Sequence, residues 1–397
     1  MGSLDTSLVL PHAQSPDLRL SHPTAGEFLS IWKLSWLEWG DALSLPLYLE
    51  ESAYLTSIPL AKDGGMTLWI LVDKNLPPDQ RPILCSCETF RKRSLIGDTE
   101  GNVTEMTIHS VASVFCNPTY RGRGYASRIM RELAEMLRNW QVEERRCIGS
   151  VLYSDIGKTY YAHLGWHPFP NNTHIELHPS VAPKPPRATQ LLSADLDQLC
   201  QKDESMIRRA MTKTSDTRIR MMFVPDLDHM LWHHKKEEFV CDRLFGKQPL
   251  AKGAIVGQPG NRIWVIWTRR FYGDPESAAS SNTLYILRLV IENQPAVSSL
   301  LSEGKELPCD PGQLALQVEQ LKAVLQTAQA EAADWKLLHV KLWDPTPLVQ
   351  ALVELAGIQH CKVERELEGI ASLLWNGEGS GKEDTLQWIG NEKFAWC

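Results

Sequence analysis

The hydrophobic patterns of the chain predict a mixed α+β (α/β) protein of two domains, on three observations. The chain has 397 residues, 43% of them apolar and 22% charged, which is too long for one ordinary core and too apolar for disorder. An order of strand, strand, helix, strand, helix, strand read in the first half returns in the second, as a duplicated architecture would. The stretch "VAPKPPRA" between the halves is rich in proline and has little to bury, so it reads as a linker. We therefore expect one domain over residues 1–180 and another over 189–397.

The elements follow in chain order. A short strand at "LRLS" leads into a helix, because Thr24 and Glu27 have capping-box spacing and Phe28, Ile31, Trp32 and Trp36 recur at helical intervals. Residues 66–73 and 81–90 read as paired strands around the turn "NLPPDQ", and 104–116 as a long strand ended by Asn117-Pro118. Tyr125, Ile129, Leu133, Met136, Leu137 and Trp140 share one face of the helix that follows. "RCIGSVLYS" is a buried strand, "IGKTYYAHLG" a short helix closed by Gly165, and "THIELHPS" the last strand of this half. In the second half, helices at "SADLDQLCQKDESMIRRAMTK" and "DLDHMLWHHKKEEFVCDRLFG" precede strands at "KGAIVG", "RIWVIWTRR" and "TLYILRLVIE". A long helix over 314–333, the strand "KLLHVKLW", the helix "PLVQALVELAG" and two strands at "KVERELE" and "ASLLWNG" complete it.

A net charge of −7 and a pI near 6.0 exclude a broad nucleic-acid-binding surface, so any phosphate affinity has to be local. Nine cysteines, none in a C-x-x-C pair, read as reduced thiols. With no secretory leader pattern and no apolar run of about eighteen residues, we expect a cytoplasmic protein without a membrane partner. The sequon at Asn171 is then a chance match.

Against this acidic background, Arg121-Gly122-Arg123-Gly124 stands between a strand and a helix. The first amides of such a helix point outward unpaired, the helix dipole adds positive charge, and glycine lets a ligand approach the backbone; a pyrophosphate suits the site. Arg121, Gly124 and Ala126 spell R-x-x-G-x-A, with Val114 and Cys116 on the strand before it. This resembles the acyl-CoA-binding motif of the GNAT superfamily of N-acetyltransferases. Further on, Tyr161, Gly165 and Trp166 in "LYSDIGKTYYAHLGWHP" resemble the next motif of that superfamily. "SVFCNPTYRGRGYASRIM", "WVIWTRRFYG" and "NEKFAWC" are similar to fungal lysine N6-acetyltransferases that begin lysine degradation, and the likeness runs over nearly the whole chain.

The resemblance implies a GNAT acyl-CoA N-acyltransferase fold followed by a second, degenerate GNAT-like domain, with acetyl-CoA as cofactor and a small lysine-like amine as acceptor. It implies cofactor binding by Val114, Phe115, Cys116, Arg121, Gly122, Arg123, Gly124, Tyr125, Ala126, Ser154 and Tyr161. Transfer by direct attack needs a neutral amine, a stabilised carbonyl oxygen and a proton for the departing thiolate. Tyr161 is the expected acid, and Cys116 is read as a small buried residue, not a nucleophile. Glu105 and His109 on the preceding strand are candidates for the base, as is the terminal carboxylate of Cys397. Glu38 and Asp41, with Glu50 and Glu51 nearby, are candidates for holding the acceptor. The second half has Gln294-Pro295 where a pyrophosphate loop would stand, so it should wall the acceptor site without binding CoA. His229 and His233 have i, i+4 spacing, but Met230 takes the place of the glutamate a metalloprotease helix needs, and no metal is expected. Free lysine is the leading acceptor; a protein lysine, the amine of a specialised metabolite, or a non-catalytic acyl-CoA sensor are the alternatives.

Overall fold

The Thr24 capping box forms as the spacing predicts: Glu27 N donates to Thr24 Oγ1 at 3.1 Å and Thr24 N to Glu27 Oε2 at 2.9 Å. Arg81 then clamps the same carboxylate at 2.8 Å and holds its pKa at about 2, which fixes the first helix to the turn after the second strand. The computed structural model describes residues 10–214, 218–274, 277, 281–293, 311–379, 381 and 385–396. The first half contains β1 (Leu18–Ser21), α1 (Ala25–Trp39), α2 (Leu45–Leu55), β2 (Met66–Asp73), β3 (Cys85–Gly97), β4 (Val103–Cys116), α3 (Tyr125–Leu137), β5 (Cys147–Ser154), β6 (His167–Pro168) and β7 (Thr173–Leu177). The second contains β8 (Thr189–Leu191), α4 (Leu196–Met211), β9 (Ile219–Phe223), α5 (Leu227–Phe245), β10 (Gly253–Val256), β11 (Ile263–Arg270), β12 (Thr283–Ile291), α6 (Pro311–Asp334), β13 (His339–Trp343), α7 (Pro347–Leu355), β14 (Cys361–Glu364), β15 (Ile370–Trp375) and β16 (Leu386–Trp388).

Several elements differ from expectation: the short strands β6, β8, β9 and β16 are additional to those read from the sequence, and three further differences bear on the site. α2 lies where no helix is expected; Ser44 precedes it and Pro46 sits in its first turn, a start signal that the short apolar run conceals. β3 runs on to Gly97, because Lys92 and Ser94 turn inward between the outward Arg91 and the half-buried Arg93, and β9 pairs with this extension from Ser94 to Gly97. The segment around Tyr161 is only a single 3-10 turn at Ala162–Leu164.

Among the described residues the strands form two sheets, of nine and seven strands. The first has the path β1-β2-β3-β4-β5-β15-β6, with β9 joining β3 and β16 joining β9; the second has the path β14-β7-β13-β12-β11-β10-β8. Each half lends strands to the other. β15 pairs antiparallel with β5 from Ile370↔Ser154 to Trp375↔Gly149, and β7 pairs antiparallel with β13 from Leu177↔Val340 to His174↔Trp343. Both inserted strands stand beside the second member of a parallel pair, β4 with β5 and β12 with β13, so the exchange is reciprocal.

One core packs α6 and α7 on the second sheet through residues such as Leu321, Val324, Leu352 and Trp267, and another packs α3 on the first sheet through Ile129, Leu133 and Trp166. A third lies between the sheets and includes Ile108, Val151, Trp264, Leu287 and, from the chain end, Phe394. Among the described residues no helix is long and apolar enough to cross a membrane.

Arg269 on β11 is wholly enclosed and ion-paired with Glu237 of α5 and Glu331 of α6. Removing the guanidinium leaves the enclosed Glu237 without its cation, whereas Glu331 keeps Lys184 at 2.7 Å, so Arg269→Ala should lose about 3 kcal/mol, measurable as a lowered urea midpoint with an unchanged slope.

Candidate active site

β4 and β5 start as neighbours and then part. Their parallel ladder runs from Thr107↔Cys147 to Val111↔Leu152, while β4 continues to Cys116 and β5 to Ser154. On its other edge β4 is bulged: the register with β3 shifts between Ser86 and Glu88, opposite Phe115 and Ala112. Ser113 at this bulge has φ 52°, a conformation costly for a residue with a side chain. The bulge coincides with the end of the β4–β5 ladder, and among the described residues no strand pairs with residues 112–116 on the β5 side. Backbone groups on such an edge require hydrogen-bond partners, and an extended ligand carrying amides can supply them.

At the end of that edge, Gly122 and Gly124 adopt φ 78° and 84°, which glycine tolerates freely. Gly124 is the N-cap of α3, and the first helical bond runs from Arg128 N to Gly124 O at 3.0 Å. The amides ahead of Arg128 therefore have no helical acceptor. A Cβ at Gly124 would also come within 3.3 Å of Ala13 Cβ. Arg121 donates from Nε to Cys116 O at 3.1 Å and pairs with Glu38 at 2.9 Å. Tyr125 is buried, its hydroxyl donating to Pro11 O at 2.7 Å. Val114, Phe115, Cys116 and the stretch from Arg121 to Ala126 thus share one end of the parting. Ser154 closes the turn after β5, donating to Gly157 O at 2.8 Å and accepting from Ile156 N at 3.2 Å.

Tyr161 packs in the cluster under α3, edge-on to Tyr160 with ring centroids 5.0 Å apart. Burial pushes its phenol well above the ordinary range, so it holds its proton at neutral pH. The half-buried Tyr160 bonds Ser127 Oγ of α3 at 3.1 Å.

The other candidates are dispersed. His109 is fully enclosed, with Nε2 3.1 Å from Trp140 O, and burial lowers its pKa to about 4; it is a neutral packing residue. Glu105 lies about 20 Å along the strand from Val111, among Arg93, Arg145 and Arg208, and Arg93 foremost holds its pKa at about 2. Neither is brought to the parting. Glu38 faces the loop at Arg121, whereas Asp41 pairs with Arg270 of β11 at 2.7 Å. Glu50 and Glu51 pair with Arg243 and Lys236 of α5.

A carboxylate not anticipated stands at the bulge. Glu88 Oε2 on β3 accepts from Ser113 Oγ at 3.0 Å, and burial raises its pKa above the usual carboxylate range. Lys236 and Tyr48 lie within electrostatic reach of it. The signal in the sequence was a lone charge in the otherwise uncharged run "PILCSCETF".

The second parallel pair parts as well: β12 and β13 separate after Ile286↔Leu342. There the chain end enters. Asn391 N donates to Asp344 Oδ2 at 2.9 Å, Arg288 of β12 pairs with Glu392 at 2.9 Å, and Phe394 packs with Leu287 and Val290. Lys92 of β3 donates to Ala395 O at 2.6 Å and His233 Nε2 lies 3.2 Å from Phe394 O. The guanidinium of Arg270 stacks 5.1 Å from the Trp396 ring, so first half, second half and tail meet at Asp41, Arg270 and Trp396. His229 is engaged by Asp226 at 2.7 Å, and among the described residues no cluster of His, Cys, Asp or Glu could hold a metal ion. Cys397 and Gln294-Pro295 lie outside the described residues.

Parted parallel strands, a bulge and an amide-lined loop opening a helix define a GNAT acyl-CoA N-acyltransferase fold, here in two GNAT-like units. Two family descriptions match: "LYC1 GNAT-like C-terminal domain" over residues 174–397 and "Acetyltransferase (GNAT) family" over residues 89–165. The first takes in more than half of the chain, and the protein belongs to that family. A lysine acetyltransferase of Yarrowia lipolytica is 26% identical over 147 residues, which span 33% of this chain and 36% of that protein, well under two thirds of its length. The Saccharomyces cerevisiae protein YGR111W, described as uncharacterized, is 22% identical over 365 residues, 84% of this chain and 82% of its own. Saccharomyces cerevisiae N-myristoyltransferase, solved with myristoyl-CoA and inhibitors, shares the fold with a TM-score of 0.50 at 10% identity, over 92% of this chain and 81% of that one.

The two carboxylates should titrate far apart. In a carboxyl-carbon NMR titration Glu105 should stay ionised down to pH about 2, while Glu88 takes up its proton above the ordinary glutamate range. Ser113 donates to the ionised form, so Ser113→Ala should raise the Glu88 midpoint further.

Proposed function

We propose that the protein transfers the acetyl group of acetyl-CoA to the side-chain amine of free L-lysine by direct attack in a ternary complex. The observation that carries this reading is the open edge of β4, which runs from the amide-lined loop at Gly124 to the Glu88–Ser113 bulge. In this reading residues 1–180 hold the cofactor and 189–397 complete the acceptor site. The amides from Gly122 to Ala126 and the guanidinium groups of Arg121 and Arg123 bind the pyrophosphate, with Arg121 exchanging Glu38 for it. Backbone groups of Val114 and Cys116 pair with the pantetheine arm.

The amine of lysine attacks the thioester carbonyl, its proton passes to Glu88, and Tyr161 supplies a proton to the departing thiolate. A raised carboxylate pKa makes Glu88 a stronger base than an exposed glutamate. Asp41 and Arg270, 2.7 Å apart, offer one partner each to an α-ammonium and an α-carboxylate. A free amino acid carries both groups; a lysine within a peptide carries neither, and this supports the small acceptor.

Release of CoA thiol from acetyl-CoA, screened over free lysine, other amino acids, polyamines and a histone-tail peptide, tests the assignment. A signal with free lysine is expected, and a signal only with the peptide would overturn the acceptor. Glu88→Gln should lower kcat by about 10²–10⁴-fold with little change in cofactor affinity, and should abolish the acid limb of the pH profile, which in the parent lies above the normal carboxylate range. Gly124→Val should weaken acetyl-CoA binding by at least about tenfold, since it strains a left-handed residue at the centre of the loop. Unchanged affinity in a calorimetric titration would refute the placement of the pyrophosphate.

A further inference from the structure

The mechanism above leaves unused two thiols at the end of the β3–β4 ladder. Cys85 of β3 and Cys116 of β4 stand directly opposite each other in the antiparallel ladder. Opposed residues in such a pair have Cα atoms about 4.5–5.5 Å apart, within the span of about 4.4–6.8 Å that a disulfide bridges. The two side chains lie in one cluster, together with Tyr125, Tyr160 and Tyr161. Cys85 is buried behind the half-buried Cys116, whose Sγ is 3.4 Å from Leu84 O. Cys116 is thus the outer thiol and Cys85 the inner one.

We propose that Cys85 and Cys116 form a peroxide-oxidisable dithiol whose cross-strand disulfide reversibly weakens acyl-CoA binding. The neighbouring Cys85 thiol and the Arg121 guanidinium favour a thiolate at Cys116, whereas burial raises the thiols of Cys87, Cys200 and Cys241; Cys116 is the outlier. Its thiolate attacks a peroxide oxygen: an S–O bond forms, the O–O bond breaks and hydroxide leaves. The Cys85 sulfur then attacks the Cys116 sulfur, forming S–S and breaking S–O, and the leaving hydroxide takes the Cys85 proton as water. The dithiol loses two electrons and the peroxide gains them; a reducing dithiol reverses the step. A disulfide holds its Cβ atoms about 3.5–4.5 Å apart, drawing the end of β4 toward β3. Cys116 O carries the Arg121 guanidinium with it, so the bond displaces both the pantetheine edge and the loop.

The full chain is treated with hydrogen peroxide, its remaining thiols are alkylated, and it is mapped without reduction by mass spectrometry. A Cys85–Cys116 linked peptide is expected, together with about tenfold weaker acetyl-CoA binding that dithiothreitol restores. Cys85→Ser, checked for an unaltered melting temperature and backed by Cys85→Ala, should bind acetyl-CoA like the parent and lose both the linkage and the reversible change. Overturning results are a Cys116 driven only to sulfinic acid, a linkage formed with affinity unchanged, or a Cys85→Ser protein as reversibly sensitive as the parent. Formation of the linkage does not depend on the cofactor assignment of the proposed function, so a protein that forms it yet binds no acetyl-CoA when reduced would refute the proposed cofactor and leave the bond standing.

Discussion

The separation of β4 from β5 is the constraint on which the rest of the site depends. Parallel neighbours in a sheet normally satisfy each other's backbone groups, and giving up that ladder beyond Val111↔Leu152 leaves donors and acceptors that must be met elsewhere. The separation is built into the strand by one extra residue. The bulge opposite Ser86 and Glu88 bends β4, and Ser113 accepts an unfavourable φ to make it. The same distortion brings Ser113 Oγ to Glu88. A single irregularity therefore both opens the edge and equips its inner end with a carboxylate.

The geometry occurs twice in the chain with different occupants. β12 and β13 also separate, and there the tail from Asn391 to Ala395 fills the space, held by Asp344, Arg288 and Lys92. An aromatic, charged chain end has a role in this arrangement: Phe394 replaces the packing lost between the separated strands, and Glu392 meets a buried arginine that Asp203 alone would otherwise balance. The reciprocal exchange of β7 and β15 then joins the two units, so that the filled cleft braces the open one.

Much of this was legible in the sequence, because the deciding features are local. The capping box at Thr24, the strand ending at Cys116 and the amphipathic face of α3 each follow from residues a few positions apart. The loop from Arg121 to Gly124 could be read for the same reason. The exchange of β7 and β15 could not, since either strand's pattern would suit either sheet. Partners across the fold were equally hidden: Glu105 and His109 lie on the right strand, yet three arginines surround the first and the Trp140 carbonyl holds the second. Glu88 was passed over because a bulge, which sets what faces what, leaves no mark of its own in a strand pattern.

The carboxylates show why residue type alone was a poor guide to chemistry here. Glu27 and Glu105 are held at about 2 by arginine partners and can act as neither acid nor base near neutrality. Glu392 is pushed up to about 7 by burial against the opposing pull of Arg288, and the nearby carboxylates of Asp203 and Asp344 add to the rise. It belongs to the tail itself, however, and is paired with Arg288 of β12 in the second sheet. Glu88 alone among these four has a raised pKa at the place where β4 opens. Titration behaviour selects two glutamates as potential bases, and backbone geometry then chooses between them.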